Sequence, residues 1–155
     1  MQTKSIFLLF ALCAMTSGLS AQGHASTMAA MAEHINFQKP DETRTFPLGK
    51  VDLKKIGGAT IGRAEFKPGW KWSESVKPIA KTASCEAPHF QYHVSGVLRI
   101  KMDDGTTFDC HPGDVSFLPQ GHDAWVIGKV PVVVIDFQGM LDYAKGIEAK
   151  GSNQP

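Results

Sequence analysis

From Val51 to Gln138, hydrophobic and polar positions alternate through short runs, and turn-forming residues separate the runs. "VDLKKIGG", "ATIGRAEF", "WKWSESV", "HFQYHVSG", "VLRIKM", "TTFD", "DVSFLP", "AWVIG" and "VVVIDFQ" are each of strand length. They are punctuated by "KPGW", "MDDGT", "HPGD" and "LPQG". In "LRIKM", Leu98, Ile100 and Met102 alternate with Arg99 and Lys101, so one face is apolar and the other wet. The pair Asp104 and Gly105 suits a tight hairpin, because glycine tolerates the positive φ such turns require. Many short strands at this spacing predict an all-β sandwich or barrel. Carrying the alternation along the chain puts Leu98, Ile100, Val115, Phe117, Val126, Val133 and Ile135 on the core side.

The flanking segments read differently. "MQTKSIFLLFALCAMTSGLSAQ" has an early Lys4, an apolar run from Ile6 to Met15, and small or polar residues up to Ala21. That is the pattern of a secretory signal peptide, and its apolar run is too short for a permanent membrane helix. Residues 1–21 are therefore expected to be removed, leaving a periplasmic or secreted protein. Residues 22–46 lack periodicity and read as an arm, with His24 and His34 as solvated side chains. The β-barrel domain is expected over residues 47–150, closing with a short helix in "GMLDYAKGIEAK", and residues 151–155 read as a mobile tail.

Composition narrows the partners. With 155 residues, 43% hydrophobic and 20% charged, the chain supports one buried core. Lys4 is the sole charge in residues 1–21, so cleavage lowers Lys+Arg from 16 to 15, equal to the 15 acidic residues. A neutral mature chain offers no basic field for nucleic acid and no polybasic membrane patch. A small-molecule ligand or a protein is left, and a homodimer stays open. Cys13 leaves with the signal, so Cys85 and Cys110 remain as either a disulfide pair or free thiols.

Candidate chemistry concentrates in "CEAPHFQYHVSG", where Cys85, His89 and His93 precede a turn, and in "PQGHDAW", which brings His122. By the strand period, His89, Gln91 and His93 share a face. Thiolate and imidazole donors suit zinc or another borderline divalent ion. The plainer alternative is that His89, His93 and His122 are barrel histidines hydrogen-bonded to a carbonyl or to Tyr92, and that Cys85 is a disulfide partner or an inert thiol. His111, in the "CHPGD" turn, reads as exposed. Trp72 and Glu74, with Gln91 and Tyr92, are candidate contacts for a small ligand at a barrel mouth, whereas Trp125 reads as core. No nucleophilic triad, phosphate-binding glycine loop or dinucleotide fingerprint is present, so catalysis would have to come from a metal.

The "PGD" at Pro112 to Asp114, followed by "LPQGHDAW" and set behind "HVSG" and the "DDGT" hairpin, resembles a single-domain cupin of the RmlC-like, type-2 kind. The resemblance covers about Gly58 to Phe137 and implies a jelly-roll β-barrel whose ligand-bearing strand faces inward. Counting back from Gly96 puts His89 at the glutamate of the first cupin motif and Cys85 at one of its histidines. In the second motif Gly113, Pro119 and Gly121 match, but Ala124 stands where a histidine is expected, and His122 lies two residues earlier. The resemblance thus implies a divalent metal (zinc, iron, manganese, nickel or copper) held by a set drawn from Cys85, His89, His93 and His122. It also favours a free Cys85, because that position is a ligand position and Cys110 is not. Two functions follow: an exported metal-binding cupin acting on a small molecule, or a non-catalytic cupin that binds or senses one, with the metal structural or absent.

Overall fold

The computed structural model describes residues 31–145, so the segment read as a signal peptide and the last residues of the chain lie outside the described region. The described chain is all-β apart from two single-turn helices. Its strands are β1 (Glu42–Phe46), β2 (Gly49–Ile56), β3 (Ala59–Phe66), β4 (His89–Ser95), β5 (Val97–Met102), β6 (Thr107–Cys110), β7 (Val115–Leu118), β8 (His122–Ile127) and β9 (Val132–Asp136). One sheet has six strands in the order β1-β2-β3-β9-β4-β7, and the other three in the order β6-β5-β8. The pairs are antiparallel throughout. Non-consecutive neighbours such as β3-β9, β4-β9 and β5-β8 give the jelly-roll connectivity expected from the sequence.

The two inner faces share one core. Val51, Ala64, Ile100, Val132 and Val134 are fully enclosed, and Phe66 stacks on Trp70 with ring centroids 4.0 Å apart. Leu98 and Ile100 point inward while Arg99 pairs with Asp109 on the outside, as the alternation requires. The Asp104 and Gly105 hairpin joins β5 to β6 and is closed by Met102 N donating to Thr106 O at 2.8 Å.

Three expectations change. Glu42–Phe46, within the expected arm, forms an edge strand paired with β2. "WKWSESV" keeps its alternation only as far as Trp72: Trp70 and Trp72 are buried, and the chain then turns into α1 (Trp72–Ser75) and α2 (Lys77–Ala80). Residues Met140 to Ala144 form turns rather than the start of a helix, and the rest of that expected helix lies beyond the described residues. Arg44 fastens these turns to β1 by donating to the carbonyls of Met140, Leu141 and Tyr143.

The expected core is half right in register. Leu98, Ile100 and Val126 are buried, but Val115 and Phe117 are 63% and 64% exposed, and Val133 and Ile135 are only half-buried. In β7 and β9 the inward residues are Ser116 and Leu118, and Val132, Val134 and Asp136. Both strands are apolar on both sides, so alternation alone could not choose the face. Buried polar partners choose it: Ser116 meets His93, and Asp136 meets His89 and Gln91. This register predicts that Val134→Ala costs about 2 kcal/mol of stability and Val133→Ala less than about 1 kcal/mol, measured by chemical denaturation.

Candidate metal centre

Backbone pairing places two of the expected ligands together. Cys85 N donates to His122 O and Gly121 N donates to Cys85 O, each at 2.8 Å, so the loop before β4 is pinned to the start of β8. His122, Ala124 and Val126 all face inward, so the shift of two residues keeps His122 on the ligand face. His89 opens β4 with the same inward orientation. The ligand atoms of Cys85, His89 and His122 lie within 4.8 Å of one another, and all three residues are buried. Cys85 Sγ is 3.6 Å from His89 Nε2.

Each imidazole is held by its other nitrogen. His89 Nδ1 donates to Asp136 Oδ2 at 2.6 Å, and His122 Nδ1 donates to the carbonyl of Pro119 at 2.9 Å. Carboxylate and carbonyl oxygens can only accept, so both neutral rings carry their proton on Nδ1 and keep a lone pair on Nε2. Metal-bound histidines are oriented by such outer hydrogen bonds. The spacing also fits: a tetrahedral centre with bonds of about 2.3 Å to sulfur and 2.05 Å to nitrogen sets these donors roughly 3.6 Å apart. The donor set therefore fits a divalent ion of the zinc type.

Without a metal, the same contacts polarise the pair. Burial is the largest influence on the Cys85 thiol and opposes ionisation, but the neighbouring His122 and His89 outweigh it and bring the pKa down to about 6. Burial likewise disfavours charge on His89, yet Asp136 and Cys85 raise it to about 9. These contacts bias the pair toward a buried thiolate beside an imidazolium. Burial, with the charges of Cys85 and Asp136, holds the Tyr143 phenol well above its ordinary pKa, so it stays protonated.

The three ligands line a cavity of about 20 Å³ together with Trp70, Trp72 and Gln91. That is room for about one water-sized guest or an ion. Trp70 Nε1, Trp72 Nε1 and Gln91 Oε1 are buried without a hydrogen-bond partner among the described residues. Gln91 has spent its amide N–H on Asp136 at 3.0 Å, which leaves its oxygen over. Buried polar atoms are normally paired, so these three, on residues lining the cavity, could serve a small polar guest, while His93 Nδ1 is a fourth such atom away from it. Outside the barrel, Trp72, Cys85 and Tyr143 also border a groove of about 360 Å³.

Other sequence candidates fall elsewhere. His93 is buried on the face of His89, but two pleats along β4, about 13 Å at the strand rise; it bonds Ser116 Oγ at 2.8 Å, and burial lowers its pKa. It is a neutral core histidine rather than a fourth ligand. Tyr92 is 42% exposed on the opposite face of β4. Glu74 borders an outer hollow with Lys71 and Trp125. Trp125 is half-buried there, 5.8 Å from the Lys71 ammonium, and is not core. His111 and His34 are exposed, and Cys85 and Cys110 are buried free thiols. Asp136 and Tyr143 were not anticipated. Asp136 has a signal in sequence, a lone acid in phase with Val132 and Val134 in an apolar run.

No protein family and no curated protein matches this sequence. Solved structures do. A protein of unknown function from Vibrio parahaemolyticus is 12% identical, with 58% of this chain and 87% of that one aligned at a TM-score of 0.44. A cupin-like protein from Thermotoga maritima is 13% identical over 60% of this chain and 69% of its own, with a TM-score of 0.43. A mutant of Bacillus subtilis oxalate decarboxylase is 22% identical over 66% of this chain but 28% of its own, with a TM-score of 0.44. At these scores the fold rests on the chain's own sheet order and register, and the site on its own residues.

The geometry generates two expectations. Binding needs Cys85 as thiolate and His89 neutral, so between pH about 6 and about 9 the metal displaces one proton, from His89, and below about 6 it displaces two. Zinc affinity should therefore fall by about tenfold per pH unit in the first window and more steeply below it, read by competition with a chromophoric chelator. Asp136→Asn, which removes the acceptor's charge, should weaken zinc binding by about 10–100-fold while Cys85, His89 and His122 are retained, measured in the same assay.

Proposed function

We propose that this chain is an exported metal-binding protein of cupin-like fold that holds a divalent ion through Cys85 Sγ, His89 Nε2 and His122 Nε2 and presents it to a small molecule. One observation carries the proposal: both imidazoles have their Nδ1 engaged by a fixed oxygen, which turns both Nε2 lone pairs over to the thiolate. A structural zinc site closes with four protein ligands, whereas a catalytic one keeps a position for water or substrate. Three protein donors facing a cavity fit the second kind. A metal there would supply Lewis acidity or a bound water of lowered pKa.

The residues around it have defined tasks. Asp136 fixes the His89 ring and draws its Nδ1 proton. Trp70 and Trp72 offer indole N–H donors and Gln91 an acceptor to whatever enters the cavity. Tyr143 stacks edge-on to His89, with centroids 5.5 Å apart, and separates the cavity from the outer groove with Trp72. The enclosed volume restricts what reaches the ion directly to a guest of about one water's size, and a larger reactant has the groove.

The small enclosed volume also favours a second reading, a metal that is bound or sensed without turnover. Fluoride, an anion of about one water's size, added to the metal-loaded protein separates the two: an open position takes the anion, and a closed site does not.

The test of binding is elemental analysis after exposure to zinc, iron(II), manganese, nickel or copper followed by dialysis. The wild type is expected to retain stoichiometric metal, and His89→Ala and His122→Ala to lose it. A wild type that holds none of the five, or variants that retain it unchanged, would overturn the reading.

A further inference from the structure

The outer face of β4 and its neighbours breaks the usual pattern, in which the solvent side of an antiparallel sheet is polar. Phe90, Tyr92 and Val94 of β4, Val115 and Phe117 of β7, and Phe137 just after β9 are each between 42% and 64% exposed. They form one patch. Phe90 is paired with Phe117 and Tyr92 with Val115 in the β4-β7 register, and the rings of Phe90 and Phe137 are 5.9 Å apart. The half-buried Val133 and Ile135 of β9 extend it inward along the sheet.

The patch reaches the sheet's rim. β7 is an edge strand, and its sequence "VSFL" carries no charge. Natural edges are usually blunted by lysine, proline or a bulge within the strand. None stands within Val115–Leu118.

We propose that this face, the outer surface of β4, β7 and β9, is the docking surface for a second copy of the chain. The area argues for a protein of matched shape. The four aromatic rings, at about 200 Å² each and roughly half exposed, offer some 400 Å² before the valines are added. A standard interface takes about 800 Å² per partner, with an apolar centre and a polar rim. The rim is present: Arg63 and Glu65 of β3 pair with Ile135 and Val133 of β9 and face the same side. An uncharged apolar centre is complementary to itself, which is what a two-fold contact between identical surfaces requires. None of the six exposed residues lines the metal-centre cavity, so the inference does not rest on the metal.

Sedimentation velocity on the full mature chain tests it. The wild type is expected to sediment as a dimer at tens of micromolar. Phe117→Lys and Val115→Lys should each weaken association by at least about tenfold, and Phe117→Leu should leave a dimer. Unchanged circular dichroism and melting temperature of the lysine variants would show that the fold is intact. A monomeric wild type overturns the proposal, whether another part of the chain shields the face or a different partner uses it; binding of a hydrophobic dye would tell these apart. A dimer that both lysine variants leave undisturbed also overturns it, since the contact then lies elsewhere.

Discussion

A carboxylate with no exposed surface, Asp136, governs the interior of this barrel. Burying a charge without partners is prohibitive, so its surroundings must supply donors. They do: His89 Nδ1 and the Gln91 amide reach one oxygen, and Gln138 N reaches the other at 2.7 Å. Meeting that requirement sets the inward phase of β9, aligns Asp136 with Gln91 on β4 and Gly62 on β3, and fixes the plane and tautomer of His89. The chain leaves β9 through Gly139, whose φ is +93° and whose missing side chain lets the backbone pass against Pro88 and His89. A side chain there would collide with the Pro88 carbonyl and push on His89.

Much of this was legible in the sequence, and the limits have physical causes. Turn residues and alternation located strands from β2 onward because each strand of that kind writes its own pattern. β1 was missed because Glu42, Thr43, Arg44 and Thr45 show no apolar face, and the strand is held by pairing with β2 and by the carbonyls that Arg44 binds. The site was legible where spacing is local. Cys85 and His89 come within four residues, and the period of two carried His122 to the inner face. It was misread where the same period says nothing about distance: His93 shares the face but not the place. Asp136 could be given a role only by knowing which strand lies beside β4.

β4 joins the two halves of the functional reading. Its inward side chains, His89 and Gln91, line the candidate metal centre, while Phe90, Tyr92 and Val94 form the apolar outer face. Whatever covers that face also stiffens the strand that carries His89, and the proposed three-donor centre would depend on that stiffness to keep its spacing. On the other side of the cavity, Trp72 and Tyr143 belong to a short helix and a turn, which are held by their own buried side chains, by the Ser73 to Asp123 hydrogen bond and by the grip of Arg44. β4 and β8 thus bear the two histidines, while Cys85, in the loop before β4, borders both the cavity and the groove.

The thiolate is the donor that distinguishes this centre from an ordinary pair of core histidines, so its bond to a metal is the most direct measurement. Cobalt(II) titration followed by absorption reads it. The geometry predicts a stoichiometric rise in a near-ultraviolet thiolate-to-cobalt charge-transfer band alongside the visible bands of a low-coordinate ion, with the charge-transfer band absent in Cys85→Ser. Cobalt that binds without that band, or a wild type that shows no saturable change, would contradict it.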